Sequence, residues 1–546
     1  MHIIFVLKPI FTYAGEMMMS VTWNDFKGPV RRRLTEACDY LRAHAGATLF
    51  IPPGEYLLED ARAQEVRRAV MAGEYGANPE PVMFNPEFIY SRGFYLDGCR
   101  DVTISAYGVT LLVDGFMEPV SLRNCRNVSL CGLTIDHTRK PFSKGTIADG
   151  DDGYFIVRYD EAYPFSIQAA SPRIMAYSPT TKRYEDISIR EDGGEELAPF
   201  TVRYPGEFKP EMIGWEVYLI HSLHSRPAVL ISHAQNISLT DVTIHSQPGM
   251  GIVGFKSSDI RINRLAIVPS QGVRVSTNTD ATHFACCSGE LSVTNSRFDG
   301  QGDDAINVHN YYYTMRTPQE CACTLSVDAP SFTHSQEPDI PVEGQRLGLV
   351  NRRTLEMLRE YTVVKSSRTY PTAVELDSPV PKDCGEYLLA NISQQPRLRF
   401  CSNTVYNHFA RAVLVKTSHT LIENNLFVDG MGAAVQVAAE AGWHEGVAAD
   451  DVTIRNNTFI HCGYEWQVNA VCVNIDAEET AQTPLHHGIR IEGNHIVGDG
   501  KAKLAIQVEQ SQDVHIMNNC IEGEFDQAIQ TEHCEDVALK DNRVNS

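Results

Sequence analysis

An all-β chain wound as a right-handed parallel β-helix, a solenoid, is the fold this sequence predicts. Three observations carry the expectation: a short apolar–Asn–apolar motif that recurs along the chain, a period in the low twenties between copies, and two long interruptions of nearly equal size. The motif stands as Phe400/Asn403/Val405, Ile422/Asn425/Phe427, Ile454/Asn457/Phe459, Ile491/Asn494/Ile496, Ile516/Asn519/Ile521 and Leu539/Asn542/Val544. Variants with another central residue are Leu130/Leu133/Ile135, Leu239/Val242/Ile244, Ile262/Leu265/Ile267 and Val293/Ser296/Phe298. Fixed self-similarity of this length marks stacked repeats. The segments are too short and too rich in Val and Ile for a helical solenoid, which leaves strands as the repeating unit. Asn at a bend tolerates left-handed backbone and can bond along a stack of equivalent side chains, so most of these Asn residues are read as structural.

Taken in chain order, the start Met1–Phe11 is ambiguous, because Lys8 and Pro9 split its apolar run; Met17, Met18 and Met19 offer an alternative beginning. Residues 29–45 read as an amphipathic helix, with Pro29 at its first turn and Gly46 as its stop. Such a helix covers the apolar interior at an open solenoid end. Thr48–Tyr56 reads as a first strand and turn. The cap and first coils are expected over 20–142. The interval between central residues 133 and 242 implies an inserted β-domain at 143–228, and that between 296 and 403 a second at 314–396. Both insertions alternate apolar and polar residues, as in Tyr154–Tyr159 and Trp215–Ile220, which suits small barrels or sandwiches. Coils at 229–313 then lie between the insertions, and coils at 397–546 close the chain.

The 69 acidic residues against 47 basic ones give a net charge of −22. That argues against nucleic acid and disfavours a highly charged pectin backbone, whereas a neutral sugar is compatible. The 14 Cys residues show no metal spacing and no disulfide framework, which favours free thiols in a reducing, cytoplasmic compartment; the ambiguous start leaves a secreted or periplasmic address open. No transmembrane stretch is present. The sides of a solenoid offer surfaces for a homo-oligomer. No cofactor is expected.

Acid chemistry concentrates in two places. Gly302-Asp303-Asp304-Ala305-Ile306-Asn307-Val308-His309 carries adjacent carboxylates, and Asn278-Thr279-Asp280-Ala281 carries a third. Clustered carboxylates repel, so at least one is expected to hold a proton near neutral pH, the division that glycosidic cleavage requires. Asp–Asp and Gly–Asp are also common turn chemistry. Strand alternation puts Ile306 and Val308 inside and Asn307 and His309 outside. In the preceding coil Val273 and Val275 are expected inside with Asn278 outside, and in the following one Val413 and Val415 inside with Lys416 outside. Asn278, His309 and Lys416 would then stack as one outward row. The coil bearing Trp443 and Glu445 is long, so its extra residues should bulge near that row. Trp443 could stack on a sugar face or anchor a loop. Glu445 could be a further acid, a hydroxyl ligand or a solvated loop charge. Arg411 could pair Asp303 or Asp304.

At these residues the chain resembles glycoside hydrolase family 110, the α-1,3-galactosidases acting on blood-group-B-type and linear α-1,3-galactosyl glycans. The carrying segments are Asp136-His137-Thr138-Arg139-Lys140-Pro141-Phe142-Ser143-Lys144-Gly145-Thr146-Ile147, Pro248-Gly249-Met250-Gly251-Ile252, Asn278–Ala281, Gly302–His309 and Trp443-His444-Glu445. The resemblance implies an inverting exo-acting enzyme with a β-helix body and no catalytic metal, with Asp280, Asp303 and Asp304 as the acids. Asn310 departs from the small Gly expected after His309. Polygalacturonase, which also uses an Asn-Thr-Asp segment, an Asp pair and a Lys near Val415-Lys416-Thr417, is the enzyme alternative. A non-catalytic glycan-binding β-helix is the alternative outside the hydrolases.

Overall fold

The computed structural model describes residues 20–545 apart from 77–78, 168–172, 188–192, 328–336 and 466–467; the N-terminal segment 1–19 lies outside the described residues. Parallel strands stack coil upon coil. One ladder runs from Ser20–Thr22 to Glu535–Lys540, a second follows it around a bend to Arg543–Asn545, and a third runs from Arg92–Asp97 to Gln527–Glu532. The interior is a single column of Val, Ile, Leu and Phe. Phe298, Phe400, Phe427 and Phe459 stack within it at centroid separations of 6.0, 6.3 and 5.1 Å, one ring per coil.

The recurrent Asn builds a ladder of its own. The Asn425 side chain donates to Phe400 O at 2.8 Å and to Asn457 Oδ1 at 2.9 Å, while that same Oδ1 accepts the Asn425 backbone N–H. Asn457, Asn494 and Asn519 repeat the arrangement down to Asn542. Buried backbone groups at the bend thereby find partners without water. The left-handed backbone falls one residue earlier than the sequence suggests: Ser402, Asn424, Asn456 and Asn518 have φ of 58, 57, 54 and 57°. The ladder Asn is a hydrogen-bonding residue, and its predecessor makes the bend.

At the N-terminal end, helix Val30–Ala43 covers the first coil with Leu34, Ala37, Cys38 and Leu41, and Pro29 is its N-cap. A strand precedes it, Ser20–Thr22, which pairs with Thr48–Phe50. Helix Ala61–Met71, which the repeat pattern does not announce, follows, capped by Asp60.

Between the coils, seven antiparallel strands form one sheet in the order Arg183–Glu185, Arg173–Ser178, Glu216–Ile220, Phe142–Asp151, Tyr154–Tyr159, Thr201–Pro205 and Glu195–Ala198. The second extra unit grows directly out of a coil. Strand Ile306–Arg316 begins in the third ladder and runs on into a six-stranded antiparallel barrel with Ala322–Ser326, Thr372–Leu376, Met357–Ser366, Arg346–Asn351 and Tyr387–Asn391, the last closing back on the first. Val273 and Val275 do not point into the solenoid. They pack outward under the seven-stranded sheet, against Phe142, Tyr177, Tyr218 and Ile220. All 14 Cys are free, and no helix among the described residues is long and apolar enough to cross a membrane.

Candidate active site

The strand that precedes Ile306–Arg316 in the third ladder is Thr282–Ala285, with Thr282 opposite Ile306 and Ala285 opposite His309. Val413–Val415 follows, with Val413 opposite Ile306. Backbone bonds continue this register into the turns before the strands: Ala281 N to Asp304 O at 2.8 Å and Ala305 N to Arg411 O at 3.2 Å. Asp280, Asp304 and Arg411 therefore occupy equivalent positions on three successive coils, about 4.8 Å apart along the stack. Asp303 stands one residue earlier. Gly302 makes this crossing possible, because a Cβ there would lie 2.3 Å from Asn278 O.

The three acids each offer an oxygen within 4.8 Å of the others. Asp304 accepts the Arg411 backbone N–H at 2.9 Å and a guanidinium N–H at 3.0 Å. Asp303 pairs with Arg173 at 3.1 Å, and Arg173 also donates to Gly302 O and lies over the Phe409 ring. Arg173 comes from the seven-stranded sheet, so an inserted segment completes the site. Asp280 sits 2.7 Å from His283 Nδ1 and accepts the Asp304 N–H at 3.3 Å. Asp303 alone is partly open, with 24% of its side chain exposed, against 6% for Asp280 and 2% for Asp304.

Burial, reinforced by the neighbouring Asp303 charge, pushes the Asp280 carboxyl up to about 8. Asp304 is raised too, by burial and by Asp303 and Asp280 against the pull of Arg411. Burial would raise Asp303 as well, but Arg173 and Arg411 outweigh it and hold that group below the usual carboxylate range. The trio thus holds a proton and an ionised carboxylate side by side near neutral pH, and it titrates as a unit.

Behind the trio lies a second buried layer. His283 Nε2 is 2.8 Å from His309 Nε2, and His309 Nε2 is 3.5 Å from Glu445 Oε1. Lys416 Nζ lies 2.6 Å from Glu445 and 2.7 Å from Glu440. Asn307 donates weakly to Glu445 at 3.4 Å, and its Oδ1 is buried without a hydrogen-bond partner. Burial lowers the His283 and His309 imidazoles to about 4 and about 3. Positive charge at these clusters comes from Lys416, Arg411 and Arg173.

Several expectations change. The outward row is Ala285, His309 and Lys416; Asn278 is not in it. Its side chain is buried, donating to Ser222 O at 2.9 Å. The alternating Val273 and Val275 misplaced that coil's strand, which begins instead at Thr282. His309 and Lys416 point outward but are covered, 1% and 0% exposed. The cover is the hairpin of Val435–Glu440 and Glu445–Gly446, which pairs onto Asn310 and Tyr311. Glu445 is consequently an ion-paired buried acid and not a solvated loop charge. Trp443, at the hairpin tip, is 58% exposed. Arg173, His283 and Glu440 belong to the site without having been singled out in sequence. Asp280-x-x-His283 was the one local signal for any of them.

A parallel β-helix with three carboxyls grouped on one face is the build of a polysaccharide- or glycan-processing protein. A family model described as a right handed beta helix region matches residues 402–546. The α-1,3-galactosidase B of Bacteroides thetaiotaomicron is 26% identical over 506 residues, spanning 84% of this chain and 78% of that one. The α-1,3-galactosidase B of Akkermansia muciniphila is 26% identical over 579 residues, spanning 98% and 70%. Among solved structures, an exopolygalacturonase from Thermotoga maritima matches with a TM-score of 0.43 and 12% identity, covering 96% of this chain and 91% of that one. Over most of its length the chain is similar to these α-1,3-galactosidases.

Proposed function

We propose that this protein is an exo-acting glycoside hydrolase that removes terminal α-1,3-linked galactose from glycans, with inversion at the anomeric carbon. The observation that carries the reading is the carboxyl trio: a protonated carboxyl and an ionised one, within reach of each other, on the coil face that an inserted sheet partly closes. One carboxyl donates to the departing glycosidic oxygen while another draws a proton from water. Arg173 and Arg411 fix the orientation of Asp303 and Asp304, so the acids need not reorganise during the reaction. The close approach of the acids does not itself supply inversion; that part rests on the resemblance of the motifs.

A cavity of about 340 Å³ opens beside Arg411, lined by Lys503 and by the amides of Gln436, Asn469, Asn474, Gln507 and Gln530. Gln436, Cys472, Gln507 and Gln530 share one register on successive coils. Neutral amides suit sugar hydroxyls, and the remainder of the glycan is assigned to this groove. Net charge of −22 supports a neutral substrate over a galacturonan. The test is galactose release from an α-1,3-linked disaccharide and from its α-1,4 and α-1,6 isomers. Preference for the first supports the reading, and equal rates or none would overturn it.

A further inference from the structure

We propose that His283 and His309 form a proton wire that leads from Asp280 to His309, beside Glu445, and holds one mobile proton. The proposal deepens the hydrolase reading and rests on it for its catalytic consequence. The warrant is hydrogen-bond polarity. His309 Nδ1 lies 3.2 Å from the Asn310 carbonyl oxygen, which can only accept, so His309 carries its proton on Nδ1. A neutral His309 then presents a bare Nε2 to the Nε2 of His283 at 2.8 Å. Two lone pairs do not face one another at that distance, so a proton lies between these nitrogens.

Two limiting arrangements satisfy these contacts, with an imidazolium His283 between the Asp280 carboxylate and a neutral His309 as the state through which they exchange. In one, Asp280 is protonated and donates to His283 Nδ1, and His283 Nε2–H donates to His309. In the other, the Asp280 O–H bond has broken as His283 Nδ1–H formed, and His283 Nε2–H has broken as His309 Nε2–H formed. Asp280 is then a carboxylate and His309 an imidazolium, 3.5 Å from Glu445. Both hold the same number of protons. Asp280 can therefore change its charge in a buried site without exchanging a proton with solvent. Besides His283, the charges facing Asp280 are those of Asp303, His224, Arg411 and Glu445, with Asp304 bonded to it through its backbone. Glu445, Lys416 and the Tyr311 ring face His309. The raised Asp280 and lowered His283 favour the first arrangement at rest.

His309→Gln tests the wire. A glutamine oxygen accepts from His283 Nε2–H and so keeps the packing, but it cannot take up the second proton. It should lower kcat about tenfold or more with KM nearly unchanged, and move the alkaline limb of the pH profile. Full activity with an unaltered pH profile would reduce His309 to a scaffold residue and overturn the proposal. ¹⁵N spectra of histidine-labelled protein give a readout without substrate, so it stands apart from the galactosidase reading. Asp280→Asn can only donate to His283 Nδ1 and so locks the first arrangement: the His309 Nε2 resonance, which should move in the wild type as pH rises through about 8, should stay still in the variant, while Nδ1 stays protonated in both. A wild-type His309 signal that does not move over that range, or that moves equally in the variant, would sink the wire. So would stoichiometric Zn²⁺ uptake by the wild type that is abolished in His309→Gln, since a cation would then occupy the space between the nitrogens.

Discussion

Lys416 is wholly buried, and its ammonium is the near neighbour of two buried carboxylates, at 2.6 Å from Glu445 and 2.7 Å from Glu440. Lys416→Met keeps the volume and removes the charge. The two acids are then left unpaired, and breaking a buried ion pair from one side costs about 3–5 kcal/mol. The cost is bounded, because one carboxyl can take a proton instead. Holding an ordinary Glu protonated at pH 7 costs about 3.7 kcal/mol, and at pH 5 only about 1 kcal/mol. Burial notwithstanding, the Lys416 ammonium keeps the Glu445 carboxyl well below its usual value in the native protein. Its contribution is therefore complete above the unfolded value near about 4.3 and fades only below it, so the wild type keeps it at both pH values. Thermal or urea unfolding of the two proteins at pH 7 and pH 5 should show the deficit of Lys416→Met shrinking as pH falls. Adding Glu445→Gln to the variant should recover most of the loss at pH 7, because a single buried acid remains. A deficit independent of pH, or a double variant no more stable than the single one, would refute the reasoning.

Asp280→Asn, Asp303→Asn and Asp304→Asn should each cost about 10²–10⁴ in kcat while leaving circular dichroism unchanged; near-normal rates in two of them would remove the trio from the chemistry. A glycan-binding protein without catalysis would lose affinity in these variants and would have no turnover to lose. Activity should fall as pH rises through about 8, where the trio gives up the proton that Asp280 holds. On the acid side activity should persist until pH falls below the ordinary carboxylate range, because Asp303 is held ionised there. Arg173→Ala should move that acid limb upward, and a stationary limb in a pH profile would show that Arg173 does not govern Asp303. Asn457→Leu removes a side chain bonded to Ile422 O and to Asn494, and leaves buried partners unpaired. About 1–3 kcal/mol per orphaned group should appear as a lower unfolding midpoint, with kcat/KM of the remaining folded protein intact.

The solenoid was legible because its period and its Asn residues are local and repeat. One bend needs one amide per coil, and the chain supplies it in the buried Asn403, Asn425, Asn457, Asn494 and Asn519 and in the half-buried Asn542. The acids were legible for a similar reason: a Gly-Asp-Asp run before a Val/Ile strand places carboxyls on a coil corner. Alternation failed at Asn278. Val273 and Val275 look like an inward-facing strand, yet the apolar surface they meet belongs to the inserted sheet, and a period-two pattern cannot name its partner. The parity of His309 and Lys416 was right, but their exposure was not, because the covering hairpin comes from a segment more than a hundred residues beyond His309. Arg173 was invisible for the same reason. It reaches Asp303 across 130 residues of chain, and nothing in its local sequence marks it.

Time-resolved proton NMR of an α-1,3-linked galactosyl disaccharide and of a longer α-1,3-galactose-terminated glycan, mixed with the wild-type protein, tests the central claim most directly. Free galactose should be the only product from the first spectra onward, and it should appear as the β anomer before mutarotation mixes the forms. Galactose released first as the α anomer would contradict inversion. Larger fragments appearing early would contradict exo action, and an unchanged substrate would contradict the assignment of Asp280, Asp303 and Asp304 to hydrolysis.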